Sequence, residues 1–293
     1  MGQACDAPSG STLSHVNLAN DHGWSRRGTR IARPWERPVL AARPVRHGME
    51  TFHMIAPRLL TSILALLILI GCAAPERPIA TARDAIEELK TGNERFAAGR
   101  ARHPHSDRAR RIDTAEHGQH PFAAVVGCSD SRVPVEIVLD QGLGDLFVIR
   151  VAGNVIATDE TGSIEYVVEH LGIPLVVVMG HVHCGAVTAV LEGSHEHGSI
   201  SELVGHIQPA VEKVRREHPG LSNEALVPFA VEQNVWHSIE DLIAHSDGVR
   251  GRITAGTLEV IGAVYDISTA KVRWLGRHPD EAALCRSSMH ASN

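Results

Sequence analysis

The 293-residue sequence has few cysteines, no excess of positive charge and no internal repeat. Its five cysteines include no Cys-x-x-Cys pair, so neither a disulfide framework nor a closed structural metal site of paired cysteines is indicated. The net charge is −6 at pH 7, and the residues after position 71 carry 20 basic and 30 acidic side chains. Because an acidic domain repels phosphate backbones, we expect no nucleic acid partner.

The first 53 residues differ in composition from the rest of the chain. They contain seven arginines and no lysine, and they show no sustained helical or strand period. We therefore interpret residues 1–53 as a disordered leader or as the result of a start codon assigned too far upstream. Met49 or Met54 would then be the true first residue.

Residues 54–72 have the features of a secretory signal peptide. Arg58 supplies the positive charge, and Leu59–Ile70 forms an apolar segment that is shorter than the roughly 20 residues of a membrane span. The segment ends in Gly71 and Cys72 and resembles the lipobox of bacterial lipoproteins. This resemblance implies that Cys72 is lipidated. The protein would then be exported to the periplasmic side and bound to the membrane only through that lipid.

The rest of the chain alternates predicted strands with predicted helices. This alternation predicts an α/β fold with a mostly parallel central sheet that is flanked by helices. The predicted strands are Phe122–Val126 with its continuation to Cys128, Leu146–Val151, Leu175–Met179, Leu258–Asp266 and Lys271–Leu275. The predicted helices are Thr81–Phe96, which Thr81 caps, Glu160–Leu171, Ser201–Glu217 and Asn223–His245.

These elements define one domain over residues 81–277. A little over 200 residues from Thr81 to the C-terminus suffice for one α/β domain with a full core. Residues 73–80 are predicted to be a linker, and residues 278–293, which contain Cys285, a polar tail.

Two short segments carry side chains that could bind one metal ion together. Cys128 and Asp130 flank a single residue, and His181 and Cys184 are three residues apart, so each pair can point towards one ion. Thiolate and imidazole are ligands that Zn²⁺ prefers. Both segments follow predicted strands, where open α/β sheets place their ligand sites. Arg132 is two residues beyond Asp130 and can hold its carboxylate in a bidentate pair.

His183 is an alternative to His181 as the imidazole ligand. It is the immediate neighbour of Cys184, and adjacent side chains converge on one ion less naturally than side chains three residues apart. We therefore predict that His183 lies at the rim of the pocket.

Three motifs in this region resemble those of the β-class carbonic anhydrases. They are Cys128-Ser-Asp-Ser-Arg-Val-Pro134, Gly144-Asp-Leu-Phe-Val-Ile-Arg-Val-Ala-Gly-Asn154 and Gly180-His-Val-His-Cys-Gly185. The resemblance extends from about Thr81 to about Arg277. It implies one Zn²⁺ per subunit, a homodimer or a dimer of dimers, and N-terminal helices that pack on a partner subunit.

The resemblance also implies roles for individual residues. Zinc is held by Cys128, His181 and Cys184, and the fourth position is taken by water or, in a closed state, by Asp130. Arg132 pairs with Asp130 and draws it away from the metal. Gln119, nine residues before Cys128, matches a glutamine that donates a hydrogen bond to the substrate, and the backbone at Gly185 is expected to contact the substrate as well.

The implied reaction is the reversible hydration of carbon dioxide to bicarbonate and a proton, by attack of zinc-bound hydroxide. Zinc with three histidine ligands lowers the pKa of its water to roughly 7 in another carbonic anhydrase. Two thiolates donate more charge than two imidazoles, so we expect a working range displaced towards alkaline pH. Two alternatives remain open, a hydrolase of carbon disulfide or carbonyl sulfide on the same site and a non-catalytic protein that zinc stabilises.

Arg150 matches an arginine that some bacterial members of this class use in a regulatory bicarbonate site. Those members also carry a tryptophan three residues before the first zinc cysteine, where this sequence has Val125. We therefore predict that Arg150 is a structural ion-pair partner.

Overall fold

The computed structural model describes residues 79–194 and 197–291. The predictions for the leader at 1–53, for the signal peptide at 54–72 with Cys72, and for residues 73–78 of the linker lie outside these residues. Among the described residues, no helix combines the length and the apolar character that crossing a membrane requires.

The centre of the domain is a five-stranded sheet with the order β2-β1-β3-β4-β5. The first four strands are parallel, and β5 runs antiparallel to β4, which confirms the predicted mostly parallel sheet. Strands β1 and β3 lie inside the sheet and are buried along their whole length, as expected for apolar strands that are covered on both faces. The strands are β1 Ala123–Cys128, β2 Leu146–Val151, β3 Leu175–His181, β4 Glu259–Tyr265 and β5 Val272–Arg277.

Helices flank both faces of this sheet. Those before β3 are α1 Ala82–Ala97, α2 Arg108–His117, α3 Val135–Val138 and α4 Thr158–His170. Those after β3 are α5 Gly185–Glu192, α6 Ser199–Gly205, α7 Gln208–Glu217, α8 Asn223–His245, α9 Asp247–Thr254 and α10 Glu281–Ala291.

Several predicted helices agree with the structure. Thr81 caps α1, because its hydroxyl oxygen accepts the N–H of Asp84 at 3.1 Å. Helix α8 has the predicted bounds. The single helix predicted over Ser201–Glu217 is wrong, because the chain forms α6 and α7 instead. Pro209 in the first turn of α7 has no N–H, and in a continuous helix its ring would clash with the Gly205 carbonyl, which favours a new helix start here.

The C-terminal segment differs from the predicted polar tail. Residues 281–291 form α10, and Cys285 on this helix is 6% exposed and packs into the core beside α8. The prediction of a polar tail is wrong because this segment carries one short apolar stripe among its polar residues, which a count of polar residues does not detect.

Each face of the sheet has its own hydrophobic core. Alternate residues of β1 divide between the two cores: Ala124, Val126 and Cys128 face the side covered by α4, α7 and α8, and Ala123 and Val125 face the side covered by α1 and α3. The alternation carries Cys128 onto the face that α8 covers.

Helix α1 is joined to its own face of the domain by close contacts. Asn93 is 4% exposed, and its amide donates to the carbonyls of Val138 and Ala270 at 3.1 and 2.9 Å and accepts the N–H of Val272 at 2.8 Å. The neighbouring Gly92 faces the backbone of Leu139, and a Cβ at Gly92 would lie 1.9 Å from the Leu139 carbonyl oxygen. Helix α1 therefore packs at a distance that only glycine allows.

We predict that Gly92→Ala destabilises the domain by about 1–3 kcal/mol, because the new methyl group forces α1 away from Leu139. The control is Gly162→Ala in α4, where a Cβ would meet nothing within 4 Å. That substitution should stabilise the domain by about 0.5–1 kcal/mol, since alanine is the better helix former. Thermal and urea unfolding of both variants check this. Equal stability of the two variants would contradict the close contact.

Candidate zinc centre

Three of the predicted ligands meet at the carboxyl edge of the sheet. Cys128 is the last residue of β1, His181 is the last residue of β3, and Cys184 precedes the first turn of α5. Their ligand atoms all lie within 4.8 Å of one another, and the two sulfur atoms are 4.0 Å apart. Two thiolates at about 2.3 Å from one tetrahedral zinc ion would lie about 3.8 Å apart. The geometry therefore fits a zinc ion.

The imidazole of His181 provides a second test of this fit. Its Nδ1 lies 2.9 Å from the Val182 carbonyl oxygen, and because a carbonyl only accepts, Nδ1 carries the hydrogen. This leaves a lone pair on Nε2, which is buried and has no hydrogen-bond partner among the described residues. A buried polar atom without a partner is costly, and a metal ion satisfies it. His181 is therefore oriented as a ligand.

The two thiols influence each other strongly. The hydrogen bond between them holds the pKa of Cys128 well below its usual value, and the N–H groups of Asp130 and Gly153 act in the same direction. The same bond, with burial, raises the pKa of Cys184. A proton shared by the pair is therefore held more firmly by Cys184 than by Cys128. A zinc ion held by both sulfur atoms would require both thiols to be deprotonated.

Asp130 and Arg132 form the bidentate pair that the sequence predicts. Nε of Arg132 donates to Oδ1 of Asp130 at 2.9 Å, and Nη2 donates to Oδ2 at 2.7 Å. The Arg132 hydrogen bonds hold the pKa of Asp130 well below its usual range. Oδ2 of Asp130 also lies 3.9 Å from Nε2 of His181. The carboxylate therefore stays ionised beside the metal position while Arg132 holds it.

Arg150 has a different partner from the one predicted. Its Nε donates to the carbonyl of Cys128 at 3.0 Å, and its Nη2 donates to the carbonyl of Asp130 at 2.6 Å. The predicted ion pair is therefore wrong, because these bonds go to backbone carbonyl oxygens and not to an acidic side chain. Because β2 pairs with β1 in register, the Arg150 side chain reaches the turn that follows Cys128 and fixes its course.

Sequence reasoning missed a second support of this site. The N–H of Gly153, in the turn Ala152–Asn154 that follows β2, donates to Sγ of Cys128 at 3.3 Å. Two buried polar side chains of α8, Asn234 and Ser238, bind the carbonyls of this turn. The available signal was two polar residues four positions apart within the apolar stripe of α8.

The remaining predicted site residues lie at different distances from the metal position. Gly185 is the first residue of α5, directly after the ligand Cys184. His183 is exposed and lines a cleft of about 1140 Å³ that extends from Val182 and Gly185 between α8 and the β4–β5 connection. The three proposed metal ligands do not line this cleft, so the place of His183 at the rim of the zinc pocket stays a prediction.

Gln119 lies at the other end of β1. It is exposed and precedes the first residue of this strand, whereas Cys128 is the last. Six residues of strand at about 3.3 Å each span about 20 Å. One chain therefore does not bring Gln119 and Cys128 together.

Comparisons with known proteins agree with this centre. The family profile described as carbonic anhydrase matches residues 123–272. Carbonic anhydrase 2 of Mycobacterium tuberculosis is 42% identical over 187 residues, which cover 62% of this chain and 87% of that protein. The β-carbonic anhydrase CafA of Aspergillus fumigatus superposes with a TM-score of 0.56 at 28% identity and covers 71% of this chain and 98% of its own.

A third relative is a tetrameric enzyme. One of two tetrameric β-carbonic anhydrases from Sordaria macrospora superposes with a TM-score of 0.50 at 26% identity and covers 66% of this chain and 98% of its own. The family profile spans more than half of the present sequence, and the fold agrees with that of solved β-carbonic anhydrases. The chain belongs to the carbonic anhydrase family, as an enzyme with the β-class fold.

Proposed function

We propose that the protein catalyses the reversible hydration of carbon dioxide to bicarbonate and a proton, with one zinc ion per subunit held by Cys128, His181 and Cys184. The observation that carries this proposal is the convergence of two thiols on a buried imidazole nitrogen that has no other partner among the described residues. The activity named for the relatives supports the substrate.

The zinc ion, when bound, supplies a Lewis acid that makes water acidic enough to lose a proton near neutral pH. The protein supplies orientation. Oδ2 of Asp130 faces the metal position and can accept a hydrogen bond from the attacking oxygen. Arg132 keeps this carboxylate ionised and prevents it from becoming a ligand. Closure of the site would require Asp130 to leave Arg132.

The first turn of α5 supplies a second contact to the substrate. The N–H groups at the start of a helix have no partner within it, and they carry a partial positive charge. Gly185 is the first residue of α5 and lines the open cleft next to the metal ligands. Its backbone N–H can therefore stabilise the negative charge that develops on a carbon dioxide oxygen.

Gln119 can contribute only from another subunit, because it lies beyond the opposite end of β1 from Cys128. A homodimer or a dimer of dimers would place the Gln119 of one chain at the zinc centre of another. The tetrameric relatives from Sordaria macrospora support such an assembly. Helix α1, the first helix of the described chain, is the candidate for packing on the partner subunit.

The proposed location is the periplasmic side of a bacterial membrane, with a lipid on Cys72. The support is the sequence of residues 54–72 alone. Incorporation of labelled palmitate by cells that express the full chain, and its loss in Cys72→Ala, are the expected results. Equal labelling of both proteins would contradict lipidation at Cys72.

The direct test of the activity is stopped-flow hydration of carbon dioxide, at neutral and at alkaline pH, with zinc content measured on the same sample. We predict that Arg132→Ala retains zinc but loses about 10- to 100-fold or more in kcat/KM, because Asp130 is no longer held off the metal. The control is Arg277→Ala, which removes a similarly exposed ion pair with Glu259 outside the site and should hydrate carbon dioxide normally.

Each other outcome of this experiment has a separate meaning. Full activity in Arg132→Ala would contradict the role of the Asp130–Arg132 pair. Full zinc occupancy without carbon dioxide hydration at either pH would contradict the proposed reaction. Carbonyl sulfide and carbon disulfide, added to the same assay, would then separate a related hydrolase from a zinc ion that only stabilises the fold.

The assignment of Gln119 can be tested by mixing two defective proteins. Gln119→Ala and Cys128→Ser should each be nearly inactive. If Gln119 acts across the interface, a mixed dimer contains one complete site, with Cys128 from the first variant and Gln119 from the second. Activity should therefore return after the two variants are mixed and their subunits exchange. If no activity returns despite proven exchange, Gln119 does not act across the interface.

A further inference from the structure

The sulfur of Cys128 depends on a short turn that contains none of the metal ligands. The turn Ala152–Asn154 directly follows β2, and the Gly153 N–H donates to Sγ of Cys128 at 3.3 Å. A backbone N–H bond to a thiolate fixes the sulfur lone pairs and withdraws charge from them. The position of this turn therefore affects the orientation and the donor strength of the Cys128 sulfur towards a zinc ion.

Two residues of this turn have the left-handed backbone conformation, which is unfavourable for residues other than glycine. Gly153 and Asn154 both have positive φ, at 70° and 47°. A Cβ at Gly153 would lie 2.6 Å from the Ile207 side chain and 3.3 Å from Cβ of Ala186, so the turn is packed against the residue before α7 and the start of α5. Left-handed residues persist where surrounding groups determine them. The side-chain hydrogen bonds to the carbonyls of this turn come from α8.

Two α8 side chains bind the turn from the side opposite Cys128. Nδ2 of Asn234 donates to the Gly153 carbonyl at 2.6 Å. The single hydroxyl hydrogen of Ser238 is shared between the Asn154 carbonyl at 3.0 Å and the Asn234 carbonyl of its own helix at 2.9 Å. Asn234 and Ser238 are 1% and 2% exposed, so water does not compete for these bonds. They are four positions apart and share one face of the helix.

We infer that Asn234 and Ser238 are positioning residues that hold the Gly153 N–H on Cys128 and thereby set the zinc affinity and the donor strength of that thiolate. The inference rests on the proposed zinc site. It assigns to α8 a role in the metal chemistry, although no atom of Asn234 or Ser238 touches a metal ligand in the described bonds. The path runs from α8 through the turn to the sulfur.

The opposing interpretation is that these side chains only stabilise the fold. Ser246 offers a matched control, because it is also fully buried and its hydroxyl also makes two bonds, one to Glu165 at 2.7 Å and one from the N–H of Val249 at 3.2 Å. Ser246 lies at the junction of α8 and α9, away from the turn. Ser238→Ala and Ser246→Ala therefore remove the same chemical group from equally buried places.

The test measures zinc affinity by chelator competition and, after cobalt substitution, the energy of the sulfur-to-metal charge-transfer absorption. Both are done on full-length Asn234→Ala, Ser238→Ala, Ser238→Thr and Ser246→Ala holoproteins. We expect Asn234→Ala and Ser238→Ala to lose about 10- to 100-fold in zinc affinity, because the sulfur of Cys128 is no longer held in position for the metal and this outweighs its stronger donation. Their absorption should move to lower energy, because a thiolate without its N–H bond is a stronger donor. Ser238→Thr, which keeps the hydroxyl, should behave as the unsubstituted protein does.

The remaining outcomes overturn the inference in distinguishable ways. Unchanged affinity and absorption in Asn234→Ala and Ser238→Ala, with zinc normal in the unsubstituted protein, would overturn the positioning role and leave the proposed function intact. Changes of zinc affinity and absorption in Ser246→Ala as large as those in Ser238→Ala would show that both result from lower fold stability and would overturn the positioning role. If Asn234→Ala does not fold, the comparison of alanine and threonine at position 238 decides. Absence of zinc from the unsubstituted protein would overturn the proposed function together with this inference.

Discussion

The parallel pairing of β1 with β3 is the constraint on which the zinc centre depends. Both strands are buried along their whole length, and their register brings their last residues, Cys128 and His181, to the same edge of the sheet. A slip by one residue would turn every side chain of a strand to the opposite face and separate the ligands. The two hydrophobic cores that fix this register therefore also fix the metal geometry.

Electrostatics then decide which groups near the metal position carry charge. Two sulfur atoms and a carboxylate are held close together. The N–H groups of Asp130 and Gly153 donate to Sγ of Cys128, and Arg132 donates to the carboxylate of Asp130. Arg132 neutralises the carboxylate from the exposed side, whereas backbone N–H groups approach Cys128 from the buried side. A divalent cation matches this concentration of negative charge.

The sequence predicted the centre better than it predicted the supports of the centre. Residue type and spacing carry the chemistry of Cys128, Asp130, His181 and Cys184, so their convergence could be predicted without coordinates. The partner of Arg150 could not, because a side chain that binds backbone carbonyls leaves no partner residue type in the sequence. Asn234 was missed for the same reason, since it acts on the carbonyl of Gly153.

The same difference applies to the fold. Strands with continuous apolar runs were predicted well, since burial on both faces leaves a strong signal. The division of one predicted helix into α6 and α7 falls where Pro209 starts a new helix, whereas Pro228 is accommodated inside α8. The packing of α10 depends on a few apolar residues around Cys285. Effects of this kind come from local sterics and tertiary contacts, which average composition does not report.

The ligands come from distant parts of the chain, and this couples metal supply to folding. Cys128 and Cys184 are 56 residues apart, and only a completed β1–β3 pair brings their sulfur atoms within 4.0 Å. An unfolded chain therefore offers zinc at most local pairs such as His181 and Cys184, with lower affinity than the complete site. Because an ion that binds only the native state stabilises it in proportion to the logarithm of its free concentration, the zinc level around the newly made protein governs how much of it stays folded.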